Sequence, residues 1–74
     1  MKLNYKITGI DCPNCAAKLE RKLGKIDGVQ LAALNFLTSK LLIEGEDEKE
    51  SEILAAVEKL VAKMEPDAVL KKLN

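Results

Sequence analysis

The chain has 74 residues, 47% of them apolar, and its 12 basic and 12 acidic side chains cancel to a formal net charge of zero. That length makes one small domain, 1–74, of a size that buries roughly 60% of the surface its unfolded form exposes. Zero net charge supplies no global field for nucleic acid or membrane, and one Tyr, one Phe and no Trp leave no platform on which bases could stack.

No apolar run approaches the ~20 residues of a membrane span, so no membrane insertion of this segment is expected. The opening Met1-Lys2-Leu3-Asn4-Tyr5-Lys6 interleaves polar residues and does not read as a signal peptide. The only two cysteines are Cys12 and Cys15, too close together to make a disulfide framework. Both points favour a reducing, cytoplasmic setting. Histidine is absent, which removes His-dependent catalysis and any Cys/His zinc finger.

Residues 2–8 alternate, with Leu3, Tyr5 and Ile7 on one side and Lys2, Asn4, Lys6 and Thr8 on the other, which predicts a half-buried strand. From Pro13 the period changes. Ala16, Leu19, Leu23 and Ile26 recur at helical spacing among Lys18, Glu20, Arg21, Lys22 and Lys25, predicting an amphipathic helix over 13–25 with proline in its favoured first turn. Asp27-Gly28 forces a turn. The apolar stretch 29–36 reads as a strand with one face fully buried. A break at Thr38-Ser39 leads to a second strand over 40–44, and the pair reads as a hairpin. Alternation places Tyr5 and Phe36 in the core.

Gly45 opens the acidic run Glu46, Asp47, Glu48, Glu50 and Glu52. Acids favour a helix start, and Asp47 with Glu50 resembles a capping box. The helix that follows is periodic through Ile53, Val57, Leu60 and Met64, and Pro66 stops it. Ala68-Val69-Leu70 reads as a last short strand. The order β-α-β-β-α-β predicts an α+β, ferredoxin-like fold, with two helices on one face of a four-stranded antiparallel sheet.

Both cysteines lie in Gly9-Ile10-Asp11-Cys12-Pro13-Asn14-Cys15-Ala16. Cys12 falls just before the first helix and Cys15 in its first turn, where unpaired N–H groups and the helix dipole favour thiolates, the form that binds metals. Two residues between them let both sulfurs turn to one point. Two thiolates without histidine do not close a tetrahedral zinc cage; they suit a soft ion at low coordination number, or a site that borrows ligands from a partner. Asp11 is the nearest further donor for a divalent ion, or else a carboxylate capping the helix.

This stretch resembles the G-M-x-C-x-x-C-A signature of heavy-metal-associated domains, found in metallochaperones and as N-terminal cytosolic domains of metal-transporting P-type ATPases. Gly28-Val29, Asn35-Phe36 and the element order match as well, so the resemblance covers nearly the whole chain. It implies metal binding through Cys12 and Cys15. Two departures bear on the metal. Ile10 replaces the usual methionine under the loop. Asp11 stands where copper-type members mostly carry Thr, Ser or His, and resembles the zinc/cadmium/lead-transporting members. The segment Met64-Glu65-Pro66-Asp67 lacks the lysine or aromatic of the copper type and points the same way; Glu65 is left outside the ligand set.

The expected function is therefore that of a non-enzymatic, monomeric carrier. It would hold one heavy-metal ion, zinc, cadmium or lead before copper(I), on Cys12, Cys15 and Asp11. It would do so as the cytosolic metal-binding domain of a zinc/cadmium/lead-transporting ATPase or as a free metallochaperone, passing the ion by ligand exchange with a metal-transporting ATPase or metallochaperone domain. A copper(I) chaperone is one alternative, and a CPxC thiol–disulfide oxidoreductase is an alternative of another class. Lys18, Arg21, Lys22 and Lys25 read as a solvated face, with docking beside the metal loop as the other reading.

Overall fold

The computed structural model describes residues 1–73. Its elements run β1 (Lys2–Thr8), α1 (Pro13–Gly24), β2 (Val29–Asn35), β3 (Lys40–Gly45), a 3-10 turn (Asp47–Lys49), α2 (Glu50–Met64) and β4 (Val69–Lys72). The strands form one sheet in the order β2-β3-β1-β4, and every neighbouring pair is antiparallel. This is the expected ferredoxin-like βαββαβ architecture.

The alternation of β1 sends Leu3, Tyr5 and Ile7 inward beside Leu41 and Ile43 of β3. They meet Leu19 and Leu23 of α1, and Ile53, Val57 and Val61 of α2, in one buried cluster. The four-residue spacing of the helical members puts each set on a single stripe, so both helices cover the same face of the sheet. Full burial of a Leu, Ile or Val side chain stabilises by roughly 1.5–3 kcal/mol, so this cluster accounts for most of what holds the fold together. Neither cysteine belongs to it.

Three expectations need correction. No residue of β2 is fully buried, because it is an edge strand next to β3 alone, with a register shift between Val29 and Leu31. Phe36 falls outside β2, in the turn, and is only half-buried. The turn is built instead by Asn35, whose Oδ1 accepts from the N–H groups of Leu37 (3.0 Å) and Thr38 (3.2 Å). Asp47 and Glu50 form no capping box: the acidic run first makes the 3-10 turn, and neither Glu46 before it nor Lys49 before α2 caps with its side chain. The Asp47 carboxylate instead pairs with the amino group of Met1 at 2.5 Å.

Candidate metal centre

The metal loop leaves β1 at Gly9, whose φ of +90° suits only a residue without a side chain. A Cβ there would also lie 2.6 Å from the backbone carbonyl oxygen of Asp67. Glycine thus lets the loop after α2 close against the loop before α1. That second loop is a tight turn: the Glu65 N–H donates to Val61 O at 2.8 Å and the Ala68 N–H to Glu65 O at 2.9 Å. Ile10, half-buried against the core, anchors the metal loop from beneath, as expected of the residue in the family's methionine position.

Cys12 is the N-cap residue of α1, in extended backbone (φ −133°, ψ 128°), and its carbonyl accepts the first helical hydrogen bond from the Ala16 N–H at 3.1 Å. Pro13 at the first helical position fixes that geometry, since its missing N–H is one the helix could not have used. Asp11 is exposed and does not cap; with Cys12 as N-cap, no side-chain cap bond forms at this end. The capping reading of Asp11 is therefore not met.

Both cysteines are free thiols, partly exposed. With Gly9, Asp11, Glu65, Pro66 and Asp67 they line a cleft of about 210 Å³. The two sulfurs are not equivalent. The Cys15 N–H favours a Cys12 thiolate most strongly, followed by the Cys15 S–H and the Asn14 N–H, and together they lower the Cys12 pKa below the ordinary thiol value. Cys15 is raised, chiefly because its own proton is the one shared with Cys12, and burial adds to the effect. The pair shares one proton, which sits on Cys15 and leaves Cys12 the readier thiolate. The Glu65 carboxylate opposes ionisation of both sulfurs, which brings into the site a residue left outside the expected set.

The structure brings Cys12, Cys15 and Asp11 to one cleft mouth and adds Glu65 and Asp67. Among the described residues, no three Cys, Asp or Glu side chains converge on one metal position. What the site offers is two adjacent soft donors, open to solvent, in a rim of carboxylates. A soft ion would find two sulfurs side by side, and a divalent one would also find compensating negative charge. The closing of the Asp67 loop on Gly9 could not be read from the sequence, because 57 positions separate residues with no common pattern.

The heavy-metal-associated domain model matches residues 4–65, from within β1 through the CxxC loop, both helices, β2 and β3 to Glu65. The chain belongs to the heavy-metal-associated domain family. Of its relatives, the cadmium, zinc and cobalt-transporting ATPase of Bacillus subtilis is 32% identical over 71 residues, covering 96% of this chain and 10% of that protein. The chain thus spans about a tenth of that relative's length. Among solved structures, the N-terminal domain of ZntA in its Zn(II) form superimposes with a TM-score of 0.72 at 27% identity, covering 96% of this chain and 89% of that one. The N-terminal domain of a potential copper-translocating P-type ATPase from Bacillus subtilis, in its Cu(I)-loaded state, has a TM-score of 0.70 at 32% identity, covering 96% and 84%. Heavy-metal-associated domains of both kinds therefore share this fold, and the fold does not choose the ion. Among the described residues, no helix is long and apolar enough to cross a membrane.

Proposed function

We propose that this domain carries one divalent soft metal ion, zinc or cadmium before lead, on the thiolates of Cys12 and Cys15, and passes it on by ligand exchange. The observation that carries this reading is the pairing of the two thiols at the mouth of a cleft rimmed by Asp11, Glu65 and Asp67. Negative charge around two thiolates lowers the energy of a dication more than that of a monocation. The name of the 32% identical relative, with its cadmium, zinc and cobalt, supports the same choice.

In this reading Asp11 is the third ligand, supplied when the ion enters. The domain does no catalysis of its own: it faces the cytoplasm and exchanges metal with a transporting ATPase, or serves one as a part of it. Partial exposure of both sulfurs favours transfer, because an incoming ligand can bind before the old one leaves. A copper(I) reading is kept by the likeness to the Cu(I)-loaded domain at 32% identity. The oxidoreductase reading draws support only from the lowered Cys12 pKa, and the wholly antiparallel sheet is not the arrangement in which such CxxC pairs work.

Competitive titration of the reduced protein with zinc, cadmium, lead and copper(I) tests the assignment. Cys12→Ser with Cys15→Ser should abolish binding of all four. Asp11→Ala should weaken the divalent ions about tenfold or more while leaving copper(I) within a few-fold. Undiminished zinc and cadmium binding in the double variant would refute the site, and equal losses in Asp11→Ala would refute the third ligand.

A further inference from the structure

Both helices lie on one side of the sheet, which leaves the other side uncovered, and the strand register orders the side chains on it. Lys6 of β1 stands directly opposite Lys40 of β3 on one flank and Lys71 of β4 on the other. All three are exposed, on the side away from buried Tyr5, Ile7 and Leu41. Adjacent strands lie roughly 4.8 Å apart, so the three ammonium groups share a row about 10 Å long. Like charges directly opposite one another destabilise a sheet. None of the three takes part in an ion pair among the described residues.

Large aliphatic side chains flank the row. Val69 lies on one side of it, opposite Thr8, and is 62% exposed; Leu73, whose N–H donates to Asn4 O at 2.8 Å, lies on the other and is 49% exposed. Leu42, also opposite Asn4, continues that apolar strip. A depression of about 780 Å³, lined in part by Asn4, Leu42 and Leu73, opens beside the row.

We propose that this uncovered sheet face docks the domain on an anionic phospholipid surface. Three uncompensated lysines in line match a plane of phosphate charges, and Val69 and Leu73 reach the level where headgroups give way to acyl chains. Nucleic acid fits less well: Tyr5 is buried in the core, and Phe36, half-buried where it lines the depression, is a single ring where a strand of bases needs a series of stacking platforms. Zero net charge is no obstacle, because the field that matters is that of the row, within a Debye length of roughly 10 Å. The inference does not depend on the metal reading.

The test is co-sedimentation of the reduced protein with vesicles of phosphatidylcholine alone or doped with phosphatidylglycerol, at low and high salt. Binding should need phosphatidylglycerol, weaken at high salt and persist in Cys12→Ser/Cys15→Ser. Lys6→Glu/Lys40→Glu/Lys71→Glu should lower it about tenfold or more, and Leu73→Ser by a few-fold. Lys6→Thr/Lys40→Thr/Lys71→Thr, which keeps residues suited to strands, should also lower it, so a misfolded reversal variant does not decide the matter. The charge-matched helix variant Lys22→Glu/Lys25→Glu/Lys59→Glu should bind as wild type does. Equal loss in the helix and sheet variants, equal binding to neutral vesicles, or no binding to either would overturn the proposal. So would direct binding of an acidic peptide such as polyglutamate that is lost in the sheet variant, with no binding to the vesicles.

Discussion

The Oε2 atom of Glu20, in the middle of α1, accepts a hydrogen bond of 2.6 Å from the backbone N–H of Leu34 in β2. Because β2 is an edge strand, this N–H has no strand beyond it, and the carboxylate does what a further strand would do. Glu20 reads in the sequence as one more polar residue on the outer helix face. In the fold it pins α1 to the sheet edge. Removing it strands a partly buried donor, so Glu20→Ala should destabilise by about 1–3 kcal/mol, and Glu20→Gln, which can still accept, by less. Denaturant melts measure the loss, and faster hydrogen exchange at Leu34 would place it; wild-type protection there in Glu20→Ala would disprove the link.

Asymmetry between the two thiols leads to a second expectation. Cys12, with its pKa lowered by the Cys15 and Asn14 N–H groups and the Cys15 S–H, should alkylate before Cys15 as pH rises toward the thiol range. Mass spectrometry of singly modified protein reads the order. Metal binding needs both sulfurs deprotonated, so zinc affinity should rise with pH and keep rising until the raised Cys15 has ionised. The sign for folding is separate. The lowered Cys12 pKa adds stability above its unfolded value, lost as pH falls through the folded one. The raised Cys15 pKa works against folding as pH rises, so the two offset each other in the alkaline range. Glu65→Gln removes a charge that opposes both thiolates, so it should speed alkylation of each. Unchanged rates would show that Glu65 does not act on the pair.

Gly9 offers a third. Gly9→Ala combines a positive φ with a Cβ too close to Asp67 O, and should cost about 1–3 kcal/mol. To relieve the contact, the Glu65–Ala68 loop must move away from the cysteines. Divalent affinity should then fall even where the protein remains folded. A variant as stable as wild type, with unchanged zinc binding, would show that this approach of the loops is not needed.

A fourth concerns the price in stability of the lysine row. Lys6→Thr removes like-charge pairing with Lys40 and Lys71 at once and should stabilise the free protein by roughly 0.2–1 kcal/mol. The gain should shrink at high salt, since exposed charges are screened. Thermal melts at two ionic strengths decide it.

The cysteines themselves stand apart from the fold. Cys12→Ser with Cys15→Ser removes nothing from the buried cluster and places a better capping residue at the N-cap of α1. Its stability should match that of the wild type within about 0.5 kcal/mol. A larger loss in denaturant would mean that the thiols help to hold the loop.

Local pattern was enough for the element order, the inward side of β1, the stripes of both helices and the CxxC loop with proline at the helix start. Each of these follows from alternation, helical periodicity or chemistry carried within a few neighbouring residues, so the sequence alone determined them. Only the tertiary structure decided what depends on distant segments meeting. It put β2 at the edge and so left Ala32 and Leu34 half-buried, and it put Phe36 in a turn. It gave Asp47 to the Met1 amino group rather than to a capping box. It also brought Glu65 and Asp67 beside the cysteines and made a row of three lysines from three strands. Burial and electrostatic potential are sums over neighbours in space. A sequence shows its neighbours along the chain, and chain packing supplies the rest.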